Sequence, residues 1–184
     1  MSILIRFDEK KTETVQNILS GIKGGAERAM SRAINRTVTY GKTQSSRLIR
    51  KEYTISPDAV KRATTAEDTG KTGRLLGRIS FKDRPKQLRN FTRRVGNDGV
   101  HVSVKRSTGL KLIPGAFVRR INSGPAILRR IWVTRYPLEV LHGPSVTQMA
   151  GGDTVRPQLE KDIGRKLEER LEHEMDVLIR GITK

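Results

Sequence analysis

The sequence predicts an α+β protein in which a central antiparallel sheet is flanked by a long N-terminal helix and a long C-terminal helix. Three observations carry this expectation. Apolar residues recur at helical spacing through the first third of the chain. From Gly73 to Val133 that period gives way to short alternating apolar runs separated by turn residues. Near the end, apolar residues again recur at helical spacing, four residues apart. A length of 184 residues suits one core, since a chain of this size buries about 70% of its unfolded surface. The expected organisation is therefore a single α+β domain over 1–184, helical over 10–64, basic and β-rich over 73–141, a loop over 142–152 and a C-terminal helix over 154–181.

Ala26, Ala29, Met30, Ala33, Ile34, Thr37 and Val38 form one stripe, which Leu48, Ile49 and Tyr53 extend, so a long helix is expected from about Gly25 to Glu52. Gly41 lies inside it and costs about 1 kcal/mol relative to alanine, which calls for a kink or close packing there. Arg28, Arg32 and Arg36 follow at intervals of four and stack on one face. That face is either solvated or set against an anionic partner. After Tyr53, Ser56 is a natural N-cap and Pro57 suits the first position of a short helix reaching about Ala63.

Strands are expected at Leu75 to Phe81, Val100 to Val104, Phe117 to Ile121 and Ile127 to Val133, with the Asn97 to Gly99 turn closing a hairpin between Val95 and Val100. His101, Ser103 and Lys105 alternate with Val100, Val102 and Val104, giving one polar and one apolar face. Thr108 to Gly115, Asn122 to Pro125 and His142 to Gly152 read as loops from their glycine, proline and serine content. The last helix carries Val155, Leu159, Ile163, Leu167, Leu171 and Met175. Steps of four drift by about 40° each, so this stripe winds about 200° and cannot face one straight neighbour throughout. It crosses a sheet and a helix of its own chain, or it meets a second subunit near its end.

Charge is unevenly distributed. Met1 to Asp68 nets +5, Thr69 to Leu138 nets +15 and Glu139 to Lys184 nets −2, so almost the whole formal +18 lies in the expected sheet, where only Asp83 and Asp98 oppose it. Such a surface attracts a polyanion or an acidic protein face. The apolar stretch Met1 to Phe7 is too short for a signal peptide, and no run approaches the roughly 20 apolar residues that span a bilayer, so a soluble protein made in a cytoplasm is expected. With no cysteine, disulfides and thiolate metal sites are excluded.

Catalytic motifs are missing. His101, His142 and His173 share no metal-ligand spacing, and neither a nucleophile elbow nor a phosphate loop occurs. Lys71 to Arg74 spells KTGR, but the serine that accompanies KTG in penicillin-recognising enzymes has no counterpart. Glu67 with Asp68 reads as a local turn pair, and the carboxylates from Glu160 to Asp176 alternate with cations on a helix surface. No catalytic residue, metal site or cofactor is expected. Aromatics are only 4% of the chain, and Phe81, Phe91, Phe117 and Trp132 fall in or beside strands, where core packing is expected instead of base stacking.

Several segments, in order, resemble a known family: AINRT at Ala33 to Thr37, YTIS at Tyr53 to Ser56 followed by Val60, RYPLEVLHGPSVTQM at Arg135 to Met149, and ERLEHEM at Glu169 to Met175. Together they are similar to the phage minor tail protein Z family, tail completion proteins of lambda-like siphophages. The chain departs from the family pattern where Arg135 leads directly to Tyr136 and Pro137, without a basic turn, and where Thr147 follows Val146. The resemblance implies a virion structural protein at the head-proximal end of the tail, needed for tail completion and head-tail joining. Implied partners are the tail terminator, connector or tail tube, further copies of itself in a ring of the hexameric kind common in such tails, and packaged DNA through non-specific contact. A free, sequence-independent DNA-binding protein is the competing reading. Gly143, Pro144 and Ser145, stiffened by the proline, form either a docking loop or a cap for the last helix.

Overall fold

The computed structural model describes residues 1–68, 75–121 and 124–182. Its helices are α1 (Glu9–Ile18), α2 (Gly25–Glu52), α3 (Pro57–Ala63), α4 (Val146–Ala150) and α5 (Val155–Ile182). Its strands are β1 (Ser2–Ile5), β2 (Thr64–Asp68), β3 (Gly77–Phe81), β4 (Thr92–Gly96), β5 (Gly99–Ser103), β6 (Lys111–Ile113), β7 (Ala116–Ile121), β8 (Gly124–Arg130) and β9 (Leu138–Val140). The α+β class and both long helices agree with the sequence. The single central sheet does not: the strands form three separate antiparallel sheets, ordered β1-β3-β2, β4-β5-β6 and β7-β8-β9. Alternation along a strand reports that it has a buried face, and leaves its partner open.

The chain folds as two compact units. The first comprises Met1–Ser45, Thr64–Phe81 and Arg156–Lys184. Here β3 lies between two strands the sequence concealed. The N-terminal stretch pairs through Ile3 with Ile79 and Ile5 with Gly77, and Thr64–Asp68 pairs along the other edge, placing Ala66 opposite Ile79. Glu67 is thus a strand residue, 3.9 Å from Arg78, and not part of a local turn. The buried face of this sheet carries Ile3, Ile5, Ile79 and Phe81. Against it lies α2, whose Ala33, Ile34 and Val38 are buried. Two glycines permit the approach. A Cβ on Gly41 would collide with Ile79 and lie 3.2 Å from Ile163 Cδ1, and one on Gly77 would lie 2.8 Å from Ile34 Cγ2. Gly41 therefore answers to close packing.

Helix α5 packs antiparallel to α2, as three contacts in opposite order show: Gln44 Nε2 donates to Asp162 Oδ2 at 2.7 Å, Lys166 lies over the Tyr40 ring, and Arg32 Nη1 lies 3.6 Å from Glu174 Oε2. Val155, Leu159, Ile163, Leu167 and Leu171 are buried as the stripe requires, but Met175 is only half-buried, and Glu174 and Leu178 take its place. The step of three from Leu171 to Glu174 turns back about 60° of the drift that steps of four accumulate.

The second unit comprises Ser46–Ala63 and Lys82–Val155. Its β4–β5 hairpin has the expected turn, with Gly96 paired to Gly99, whose φ of +131° suits glycine. The end of α2 is tied to β5: Tyr53 bridges Lys105, Lys105 Nζ lies 3.0 Å from Glu52 Oε1, and the Thr54 hydroxyl donates to the Ser103 carbonyl. Thr108 to Gly115 contains β6 as well as loop, and Gly124 and Pro125 begin β8. Strand β8 ends at Arg130, so Ile131 to Val133 are not strand residues. The loop expected over 142–152 contains α4, a helix too short for periodicity to reveal.

Candidate partner-binding surface

The register of the third sheet determines which side chains share a face. Phe117 lies opposite Leu128 and Leu128 opposite Val140, while Arg130 faces Leu138. Directly opposed residues point to one side, so Phe117, Arg119, Ile121, Leu128, Arg130, Leu138 and Val140 share a face. Leu128 and Ala126 are buried on it, Ile121, Leu138 and Val140 are half-buried, and Arg119 and Arg130 are exposed. Of these, Arg119, Ile121, Leu128, Leu138 and Val140 line, with Arg120 and Tyr136, an open groove of about 610 Å³ with an apolar floor and a guanidinium rim.

The β8–β9 connection projects beside it. Ile131 N–H donates to the Pro137 carbonyl at 3.2 Å, and Thr134 Oγ1 donates to the Tyr136 carbonyl at 2.6 Å, so the tip is held by its own backbone. Arg135 lies over the Tyr136 ring at 5.8 Å, and Arg129 pairs with Glu139 at 3.2 Å. Held this way, the tip presents apolar side chains to solvent: Trp132 is 68% exposed and Val133 fully so. Trp132 was expected in a core and is not; a β-branched and aromatic run reads the same whether it enters a core or an interface. Phe81 and Phe91 are buried as expected, and Phe117 is half-buried.

The second sheet repeats the pattern on a smaller scale. All of β4 is exposed, with Arg93 and Arg94 beside Val95, and Leu110 and Leu112 are exposed near β6. Most of the exposed large apolar side chains among the described residues therefore fall between Val95 and Tyr136, within the strongly basic block.

The residues singled out in the sequence are placed differently. Arg28 and Arg36 are exposed on α2, while Arg32 between them is directed to Glu174, whose side chain is only 8% exposed. The structure thus divides the expected arginine row. Gly143, Pro144 and Ser145 are drawn inward. Gly143 N–H donates to the Lys86 carbonyl at 2.7 Å, and a Cβ there would lie 2.9 Å from Phe91. Ser145 is buried and caps α4, accepting from Gln148 N–H at 3.2 Å while Gln148 Oε1 accepts from the Ser145 N–H at 2.9 Å. Its capping role serves this short helix, not the last one. The signal missed was Ser145 followed three residues later by Gln148, a capping box. Asp83 Oδ2 accepts from Val146 N–H, and its Oδ1 pairs with Lys86 Nζ at 2.8 Å.

His101 Nε2 donates to Asp98 Oδ2 at 2.8 Å beside the hairpin turn, and this bond holds the Asp98 carboxyl below its ordinary value. Burial, reinforced by Glu52, pushes the Tyr53 phenol up. These groups sit in separate structural contacts, one at the β4–β5 turn and one at the end of α2. Among the described residues no group of three histidine, aspartate or glutamate side chains could hold a metal ion, and no helix is long and apolar enough to cross a membrane. KTGR at Lys71 to Arg74 lies outside the described residues.

Exposed tryptophan, arginine and aliphatic side chains on and beside one sheet have the composition of a protein-binding surface. The chain belongs to the prophage minor tail protein Z (GPZ) family, whose model matches residues 10–184. No curated protein and no solved structure matches it. Membership bears out the resemblance read from the sequence and gives the chain a structural role as a minor tail protein of the phage virion.

Proposed function

We propose that this minor tail protein completes the tail at its head-proximal end and makes it competent to join a filled head, working through interfaces and without catalysis. The observation that carries this reading is the coincidence of exposed apolar side chains with the basic block, above all Trp132 and Val133 at the β8–β9 tip, flanked by the exposed Arg130 and Arg135. Exposed tryptophan and valine gain little from solvent and much from a packed protein surface, while the arginines select an acidic face and speed its encounter. The fitting neighbours are a tail terminator, connector or tail-tube protein with an acidic, partly apolar face.

Lysates of a phage lacking this chain are the direct test. Filled heads and separate tails should accumulate, and the chain supplied in trans should join them. Normal numbers of joined, infectious particles without it would overturn the proposal. The net +15 between Thr69 and Leu138 supports a second reading, sequence-independent binding to duplex DNA. That reading requires retention on duplex DNA that falls steeply with salt, and absence of retention near 0.15 M salt removes it.

A further inference from the structure

The groove on the third sheet needs an occupant that offers carboxylates at its edge and an apolar group for its floor. Helix α5 presents that combination on its outer side. Glu168, Glu172 and Asp176 are exposed at steps of four, which set them in one row. Ile179, 44% exposed, continues the row at a step of three. The buried Leu167, Leu171, Glu174 and Leu178 lie about 125° around the helix from this row, which is turned to solvent. Carboxylates at this spacing match the guanidinium rim in sign, and Ile179 suits the leucine and valine floor.

We infer that the groove formed by Arg119, Arg120, Leu128, Tyr136, Leu138 and Val140 receives the outer face of α5 from a second copy of the chain. Because groove and helix row are different surfaces, the contact is heterologous: each copy uses its groove on one neighbour and its helix on the next. Such contacts build a ring if the rotation closes and a filament if it does not. The inference rests on the proposed role only in giving repeated copies a place to act; the contact itself is tested on the purified protein.

The chain has one tryptophan, Trp132, in the tip beside the groove, so it reports the contact directly. Sedimentation velocity and tryptophan emission are followed as the full-length protein is concentrated from micromolar upward, at about 0.05 M and about 0.5 M salt. The expected result is assembly beyond a monomer, with a blue shift of emission, weakened by salt. Arg119→Glu with Arg120→Glu should weaken assembly at least about tenfold, and Glu168→Arg with Glu172→Arg should do the same. All four positions are exposed, so circular dichroism should be unchanged. Mixing the two variants, or combining the four substitutions in one chain, restores opposite charges and should restore assembly. A monomer at every concentration, or assembly indifferent to both reversals, or no restoration on combination, would overturn the inference. If the reversals dissociate the assembly as expected and a phage lacking the chain still yields normal numbers of joined particles, the inference stands and the proposed function fails.

Discussion

At Gly41 and Gly77 the absence of a side chain sets the distance between α2 and the first sheet. Gly77→Val places two methyl groups where Val38 and Ile34 already sit, and overpacking of this kind costs about 1–3 kcal/mol. Denaturant unfolding should register that loss, and an unchanged midpoint would mean the helix is not held at this distance. Trp132 and Val133 should behave in the opposite way. Both project from the tip, so Trp132→Ser with Val133→Ser should leave stability within about 0.5 kcal/mol while reducing the yield of joined particles. Asp98 gives a pH-dependent case. Its carboxyl is lowered chiefly by the bond from His101, so the contribution is present above the ordinary aspartate range and lost as pH falls through the lowered value. An NMR titration should find Asp98 below about 3.9, and His101→Ala should return it toward that value; a titration unaltered by the substitution would remove His101 as the cause.

Among the elements, those governed by local chemistry were legible and those governed by distant pairing were not. α2 runs from Gly25 to Glu52 and α3 from Pro57 to Ala63, as stripe and cap required. The β4–β5 hairpin follows from its turn. β1 escaped because four residues carry too little pattern, and its partner β3 lies more than seventy residues away in sequence. α4 escaped because it has only five residues, although its capping box was readable. Ser145→Ala should cost about 1 kcal/mol by removing that cap, seen as faster amide exchange in Val146 to Ala150; unchanged exchange would show that Asp83 alone secures the helix start. The binding surface was half legible. Basic charge marked the right block, but the identity of its exposed face depends on β-strand register, and the arginine row on α2 drew attention to a helix whose central arginine already has Glu174 as partner.

For the whole molecule, chain connectivity argues for one cooperative body. The first unit is assembled from three separate stretches of sequence and the second from two, so neither can be cut out as a continuous piece. We propose that the two unfold together, and a single calorimetric transition whose calorimetric and van't Hoff enthalpies agree is the expected outcome; two resolved transitions would contradict it. At the level of the virion, family membership supplies the tail, and the groove and tryptophan tip supply a reason for interfaces. An image reconstruction of the intact particle's neck tests this most directly. The expected result is the chain at the head-proximal end of the tail, with Trp132 and the groove beside Arg119 buried against neighbouring protein. Density for the chain elsewhere in the particle, or at the neck with that surface facing open solvent, would contradict the account.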